Sequence, residues 1–242
     1  MNIGMYRAVS GCVVQQERLD TASINMANAN DIGYKAARLS VGSQGMSISH
    51  NDADHLVQVS GKFIDFSEGA RQNTNNKLDL ALEGDGFFVV QTPKGTAYTR
   101  KGNFSLNAQK VLVNQDGLPI LGQNGPVQIM GNDIRISTDG AIHVDGMAVD
   151  RLRLATFPKP YPFDTNSGSL FFPKAQGNGQ AVQESQVQSV VVQQGQIELS
   201  NTDLMREMAR LIEISTSYES CQKVIQTVDE MDQKIISETN KT

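Results

Sequence analysis

Two stripes of apolar side chains at helical spacing, one at each end of the chain, constrain the fold more than anything between them. In residues 4–30, Met5, Val9, Cys12, Leu19 and Met26 recur, with Gln16 and Ser23 completing a 4-3-4-3 spacing. That pattern predicts a helix with a narrow, heptad-like seam, roughly 40 Å long at about 1.5 Å per residue. Asn28, Asn30, Asp31 and Gly33 predict its end, because Asn and Asp favour caps and turns and Gly supplies a left-handed backbone position. The second stripe opens at Ser200, Asn201 or Asp203 as candidate N-caps and has no Gly or Pro inside. Its apolar positions are Leu204, Met208, Leu211, Tyr218, Cys221, Ile225, Val228, Met231 and Ile235, with Ser215 interrupting. Neither stripe is wide enough to be stable alone, so each must face another helix.

Between about Leu78 and Leu199 the period falls to two, or to short apolar runs. Phe87–Gln91, Lys110–Val113, Asp133–Ser137, Ala141–Val144, Leu152–Phe157 and Val187–Gln193 read as strands by pattern and by Val, Ile and Phe content. Four Asp-Gly pairs, at Asp85, Asp116, Asp139 and Asp145, suit tight hairpin turns. Val190-Val191-Val192 requires burial, so Gln176–Gln196 reads as a polar-faced β edge. Pro158–Gly179 is loop-like around the short run Leu170-Phe171-Phe172. The fold class expected is α+β, with long N- and C-terminal helices pairing as a coiled coil beside a central antiparallel β-rich domain. The divisions are residues 1–35 (helix and turn), 36–77 (extended linker), 78–199 (β domain) and 200–242 (helix).

Composition narrows the function classes. Lys and Arg number 21 against 26 Asp and Glu, a net charge of −5 with the cations scattered, which argues against nucleic-acid binding. The apolar share of 39% is below the usual figure of about 45–50%, so part of the chain is expected to pack on a partner. No apolar run approaches a membrane span, and the N-terminus lacks a signal peptide's basic and apolar regions, so no membrane insertion is expected. No nucleophile–base pair or phosphate loop stands out. His50, His55 and His143 do not match a metal spacing, and Asp139, Asp145 and Asp150 lack the order of a calcium loop. No catalytic, cofactor or metal residue is therefore assigned. Cys12 and Cys221 read as small core or interface hydrophobes. In an antiparallel helix pair they are expected in different turns, too far apart to bridge.

Four segments carry a family likeness. Ser23-Ile24-Asn25-Met26-Ala27-Asn28-Ala29-Asn30-Asp31-Ile32-Gly33-Tyr34-Lys35 resembles the N-terminal signature of bacterial flagellar axial proteins. Leu80-Ala81-Leu82-Glu83-Gly84-Asp85-Gly86-Phe87-Phe88-Val89-Val90 is similar to that family's entry into its β domain. It continues through Tyr98-Thr99-Arg100-Lys101-Gly102-Asn103-Phe104 and Asp116-Gly117-Leu118-Pro119-Ile120-Leu121-Gly122. Gln194-Gly195-Gln196-Ile197-Glu198-Leu199-Ser200-Asn201 matches the hinge, and Glu207-Met208, Tyr218-Glu219 and Asp229-Glu230-Met231 match the closing helix. Met26, Asp31-Ile32 and Ser215-Thr216-Ser217 depart from the family pattern.

The resemblance implies a structural, non-enzymatic rod subunit whose terminal helices join those of other axial proteins in the inner tube of a helical assembly crossing the periplasm. It also implies delivery by the flagellar export apparatus without a cleaved signal. The residues supply their own argument: two narrow seams that bury each other leave Val13, Ile24, Ile212 and Val224 as apolar flanks for neighbouring subunits. Heterologous contacts of that kind build filaments. Polar positions Gln16, Ser23, Ser215 and Gln222 weaken the seams, which suits a chain ordered at its ends only on assembly. The competing classes are a secreted β-rich binding module or enzyme, which needs aromatic platforms that a chain with 6% aromatics and no Trp hardly supplies, and a coiled-coil adaptor, which leaves the β domain without a role.

Overall fold

A computed structural model describes residues 3–46, 54–161, 163, 169–173 and 190–239. In chain order the elements are α1 (Ile3–Ala27), β1 (Ala37–Met46), β2 (Asp54–Ile64), β3 (Arg71–Asn73), β4 (Leu80–Glu83), β5 (Phe87–Thr92) and β6 (Gly95–Thr99). Then come β7 (Ser105–Leu106), β8 (Leu112–Val113), β9 (Leu121–Gly122), β10 (Gly125–Pro126), β11 (Ile134–Ile136), β12 (Ala141–Val144) and β13 (Met147–Arg151). The last are β14 (Leu154–Ala155), β15 (Val191–Gln194), β16 (Gln196–Glu198) and α2 (Leu204–Thr239). His50, Val187 and most of the Gln-rich stretch lie outside the described residues. The chain divides into two compact units: Met1–Ala27 with Ala37–Asp65 and Asp203–Thr242, and Asn28–Ala36 with Phe66–Thr202.

The first unit holds α1, α2 and the β1–β2 hairpin. Asp203 is the N-cap of α2, its Oδ1 accepting from the backbone N–H groups of Met205 and Arg206. The helices run antiparallel: Cys12 lies opposite Cys221, while Asn25 and Glu207 share one cleft nearer the start of α2. They do not form the expected coiled coil. Among the described side chains, those buried on α1 are Cys12, Val14, Thr21, Ala22 and Asn25, and on α2 Glu207 and Ile214, whereas the seam residues Val9, Met208 and Met231 are exposed. A heptad seam would bury those apolar positions together, and the observed buried face mixes polar with apolar side chains. The segment read as an extended linker contains the paired strands β1 and β2, with a register shift at Ser40/Val41.

Cys12 and Cys221 also depart from expectation. They form a disulfide with a Cα–Cα distance of 5.7 Å, because the antiparallel register sets them in facing turns.

The second unit is built from short antiparallel ladders: β14-β5-β6, β11-β12-β13, β15-β4, β16-β3, β7-β8 and β9-β10. β5 explains its unbroken apolar run by being covered on both faces. Phe88 and Val90 enter the core with Leu80, Leu112, Ile120 and Ile142, among others. Phe87, on the opposite face, meets Phe66, Phe157, Tyr161, Phe163 and Phe171 in ring contacts of 5.1–6.2 Å. Such a two-sided strand buries every residue from Phe87 to Val90. The Asp145-Gly146 pair turns β12 into β13 with both residues at positive φ, 50° and 85°, the tight-hairpin conformation that Asp-Gly favours.

The disulfide closes a loop of 209 residues, for which the chain-entropy account gives about 5 kcal/mol, a model-dependent figure. The double variant Cys12→Ser/Cys221→Ser is expected to lower the urea midpoint of the helical circular-dichroism signal, with intact-mass analysis confirming the bond in the parent. Equal midpoints would show that the bond contributes nothing to the helical unit.

Candidate functional site

The family-like segments converge in the second unit on one buried carboxylate, Glu198. β16 pairs with β3 and carries Glu198 inward, its side chain 1% exposed. Oε1 accepts from Lys35 Nζ at 2.6 Å and from the Gly69 N–H at 3.0 Å. Oε2 faces Arg100 Nη1 at 3.4 Å, and the Glu198 backbone carbonyl accepts from the Gly33 N–H at 2.7 Å. The Lys35 side chain is fully buried and donates also to the Ser67 carbonyl at 2.6 Å. Burial pushes the Lys35 ammonium below its usual pKa, and Glu198 beside it pulls in the opposite direction.

Arg100 completes the cluster. Its guanidinium donates to the Leu82 and Gly84 carbonyls and stands 5.3 Å from the Phe87 ring centroid. Gly33 is fixed by the same contact region. Its φ is +66°, and a Cβ there would sit 2.5 Å from the Arg100 carbonyl carbon, so no other residue fits without backbone movement. Asn201 of the hinge accepts from the Ala36 N–H at 2.8 Å and donates to the Ser67 carbonyl. The signature residues Gly33, Tyr34, Lys35, Gly84, Phe87, Glu198 and Asn201 are thus parts of one structural junction. Asp85 lies outside it, paired with Lys159 and accepting from the Tyr161 hydroxyl. The Lys159 contact holds the Asp85 carboxyl below its ordinary pKa, and the Tyr161 hydroxyl is pushed up, chiefly by burial.

In the first unit Asn25 clamps the strand start reciprocally, Nδ2 donating to the Ala37 carbonyl at 2.9 Å and Oδ1 accepting from its N–H at 2.8 Å. Of the expected interface residues, Cys12 is buried; Met5, Leu19, Met26, Leu204, Leu211, Tyr218, Cys221, Ile225 and Val228 are half-buried; Val9, Met208 and Met231 are exposed; the Ile235 side chain lies outside those described. The flanks Val13 (56%) and Ile212 (68%) are largely exposed, as are Ile24 and Val224. Sequence reasoning missed Val14, Ala22 and Ile214 as buried positions, and it missed the Lys35–Glu198–Arg100 cluster. The charges themselves are visible in the sequence, but both Lys35 and Glu198 stand among Asn, Asp, Gln and Ser residues, so nothing local marks them as a buried pair. Among the described residues no three His, Cys, Asp or Glu side chains come together as metal ligands. No described helix is long and apolar enough to cross a membrane.

The comparisons with known proteins agree with these motifs. Residues 81–144 match the model of the flagellar hook protein FlgE/F/G D1 domain, and residues 193–238 that of the flagellar basal body rod FlgEFG protein C-terminal region. The chain is 32% identical over 225 residues to the flagellar basal-body rod protein FlgF of Rhizobium meliloti, covering 91% of this chain and 90% of that one. It is 30% identical to FlgG of Bacillus subtilis, covering 96% and 97% respectively. It is 27% identical to FlgF of Caulobacter vibrioides, covering 100% and 99%.

Removing Glu198's charge leaves Lys35 and Arg100 buried without their carboxylate. Glu198→Gln is expected to cost about 3–5 kcal/mol of unfolding free energy in urea at neutral pH, the range for breaking one partner out of a buried ion cluster. A loss below about 1 kcal/mol would mean that backbone carbonyls alone hold the two cations.

Proposed function

The chain belongs to the FlgE/F/G family of flagellar hook and rod proteins, and from that membership we infer that it is a structural subunit of the flagellar basal-body rod, not an enzyme. The observation that carries the reading is likeness over nearly the whole chain to basal-body rod proteins. We assign it to the proximal, FlgF type. The FlgF relatives of Rhizobium and Caulobacter align over 225 and 248 residues, whereas the FlgG relative of Bacillus aligns over 258 while covering only 96% of this 242-residue chain. The FlgG protein therefore carries inserted positions that this chain lacks. The distal, FlgG-type rod is the second reading, favoured by the 97% of the Bacillus protein that the alignment covers.

In the proposed mechanism the terminal helices are the assembly elements. Exposed apolar side chains on both helices, Val13 and Ile24 on α1 and Met205, Ile212 and Val224 on α2, support this role, because burying them stabilises contacts between subunits by about 25 cal/mol per Å². Repeated head-to-tail contacts of this kind generate a helical tube, the geometry needed to transmit motor torque along an axis. Partners are further copies and other axial subunits. Delivery is by the flagellar export apparatus without a cleaved signal, the narrow helix contact keeping the reduced ends threadable and the Cys12–Cys221 bond closing only after export.

The charge variants Val13→Asp and Ile212→Asp separate assembly from folding, because both positions are exposed in the isolated chain. Each is expected to keep the parent's unfolding curve and to abolish swarming of the cells that carry it. Normal motility with either variant incorporated into basal bodies would remove the helices from the interface.

A further inference from the structure

Burial along the helix pair is one-sided. Among the described side chains, every buried one on α1 lies at Cys12 or after it, and every buried one on α2 lies at Ile214 or before it. The helices run antiparallel, so these stretches face each other and form an inner half. That half is tied to the hairpin by Asn25 on Ala37, Glu17 on Lys62 and Glu207 on Arg38. In the outer half, residues 3–11 of α1 against the part of α2 beyond Cys221, the apolar side chains Met5, Ala8, Ile225 and Val228 are no more than half-buried. A stretch as short as residues 3–11 is not a stable helix when undocked, since isolated helices below about 12–15 residues are marginal in water.

The Cys12–Cys221 bond stands at the boundary between the halves. Cys12 belongs to the buried set, while Cys221 is half-buried with its Sγ 3.1 Å from the Ala8 carbonyl, one turn further out on α1. Val9, Val13 and Val224, all exposed, lie within a turn of the bond. The covalent link therefore sits where burial stops holding the helices together and where apolar side chains are left open.

We propose that this bond is a redox latch that docks the outer half of the helix pair and so sets when the chain becomes competent to assemble. With both thiols free, the inner half alone fixes the register, and the outer ends fray. That register already brings the two cysteines to a Cα–Cα distance of 5.7 Å, which favours closure within the chain over pairing between chains. Closure is thiol–disulfide exchange with an oxidising protein disulfide. The Cys221 thiolate attacks one donor sulfur and the donor's other sulfur leaves as thiolate; the Cys12 thiolate then attacks Cys221 Sγ and expels the first. Two electrons pass to the donor, which departs as a dithiol carrying the two protons the cysteines lost. A reducing cytoplasm holds the latch open and an oxidising periplasm closes it, a timing that rests on the rod-subunit reading above and adds regulation to it. Docking leaves Val9, Val13 and Val224 uncovered, on one ordered surface for a neighbouring subunit.

Trypsin reads the latch on the full chain, with Lys223 and Lys234 as exposed sites in the outer half and Arg206 and Arg210 as references in the inner half. Closing the bond with oxidised glutathione is expected to slow cleavage after Lys223 and Lys234 by about tenfold or more against the chain held in dithiothreitol, and to change cleavage after Arg206 and Arg210 by less than about twofold. Cys12→Ala/Cys221→Ala, which keeps small apolar side chains at both positions, is expected to match the reduced chain with or without oxidant. Equal outer-half rates in the two redox states, or a double variant protected as well as the closed chain, would overturn the latch. In cells, thiol alkylation and mass spectrometry of purified basal bodies are expected to find the bond closed, and the double variant about fivefold scarcer there because its outer half is not preorganised. Free thiols in assembled rods, cysteine-linked dimers, or undiminished incorporation of the double variant would overturn the latch while leaving the rod reading intact. A chain absent from basal bodies would overturn both.

Discussion

A single buried carboxylate organises the second unit. Glu198 binds residues that are 163, 129 and 98 positions away in sequence, Lys35, Gly69 and Arg100, and does so from a short strand. Taking three charges out of water is expensive, and the arrangement persists because nearly every donor and acceptor around it is met: Ser67, Leu82 and Gly84 give carbonyls, Gly33 and Gly69 give N–H groups. These partners come from the turn after α1, from the segment after β2 and from β4 with the turn that follows it, while Glu198 itself stands in the run before α2. The points where the chain enters and leaves the second unit are therefore tied to one group. Hydrophobic burial alone is non-directional and would not choose among nearby registers of these short strands, whereas a buried charge tolerates only the register that pairs it.

The first unit works on the opposite principle. Its helices share a polar-apolar contact face fixed by the Cys12–Cys221 bond, and α2 is tied to β1 by Arg38 on Glu207. Its apolar side chains are divided between that face and solvent. A pair of helices built this way is under-buried as a monomer, which accounts for the low apolar share of the whole sequence. The same feature makes it suited to association, since the exposed rows lose nothing on folding and gain on contact with a neighbour. On the proposed reading the division of labour is physical: one unit is completed internally, the other by partners.

The legible parts of the sequence were those governed by local chemistry. Helix limits followed from Asn28, Gly33 and Asp203, and the β12–β13 hairpin from Asp145-Gly146, because caps and tight turns are decided within a few residues. The two-sided strand at Phe87–Val90 was visible as an unbroken apolar run. The β1–β2 pairing was not, since Gly42, Gly45 and Gly61 break the alternation and a register shift interrupts the ladder. The helix contact was misread for a related reason: counting apolar spacing selects Val9 and Met208, while the fold buries Asn25, Thr21 and Glu207. Pairings between distant charges, Lys35 with Glu198 above all, leave no local trace and entered only as residues of family-like motifs. The disulfide was missed because helix register, which sets Cys12 against Cys221, is a tertiary quantity.

Amide hydrogen exchange followed by mass spectrometry, on the isolated chain and on basal bodies containing it, addresses the central claim that one unit is complete alone and the other is completed by assembly. The account predicts slow exchange in the isolated chain for peptides covering 80–90 and 196–200, fast exchange for α1 and α2, and strong protection of both helices in the assembled rod. Terminal helices already protected as well as the β core in the isolated chain, and unchanged on assembly, would contradict it.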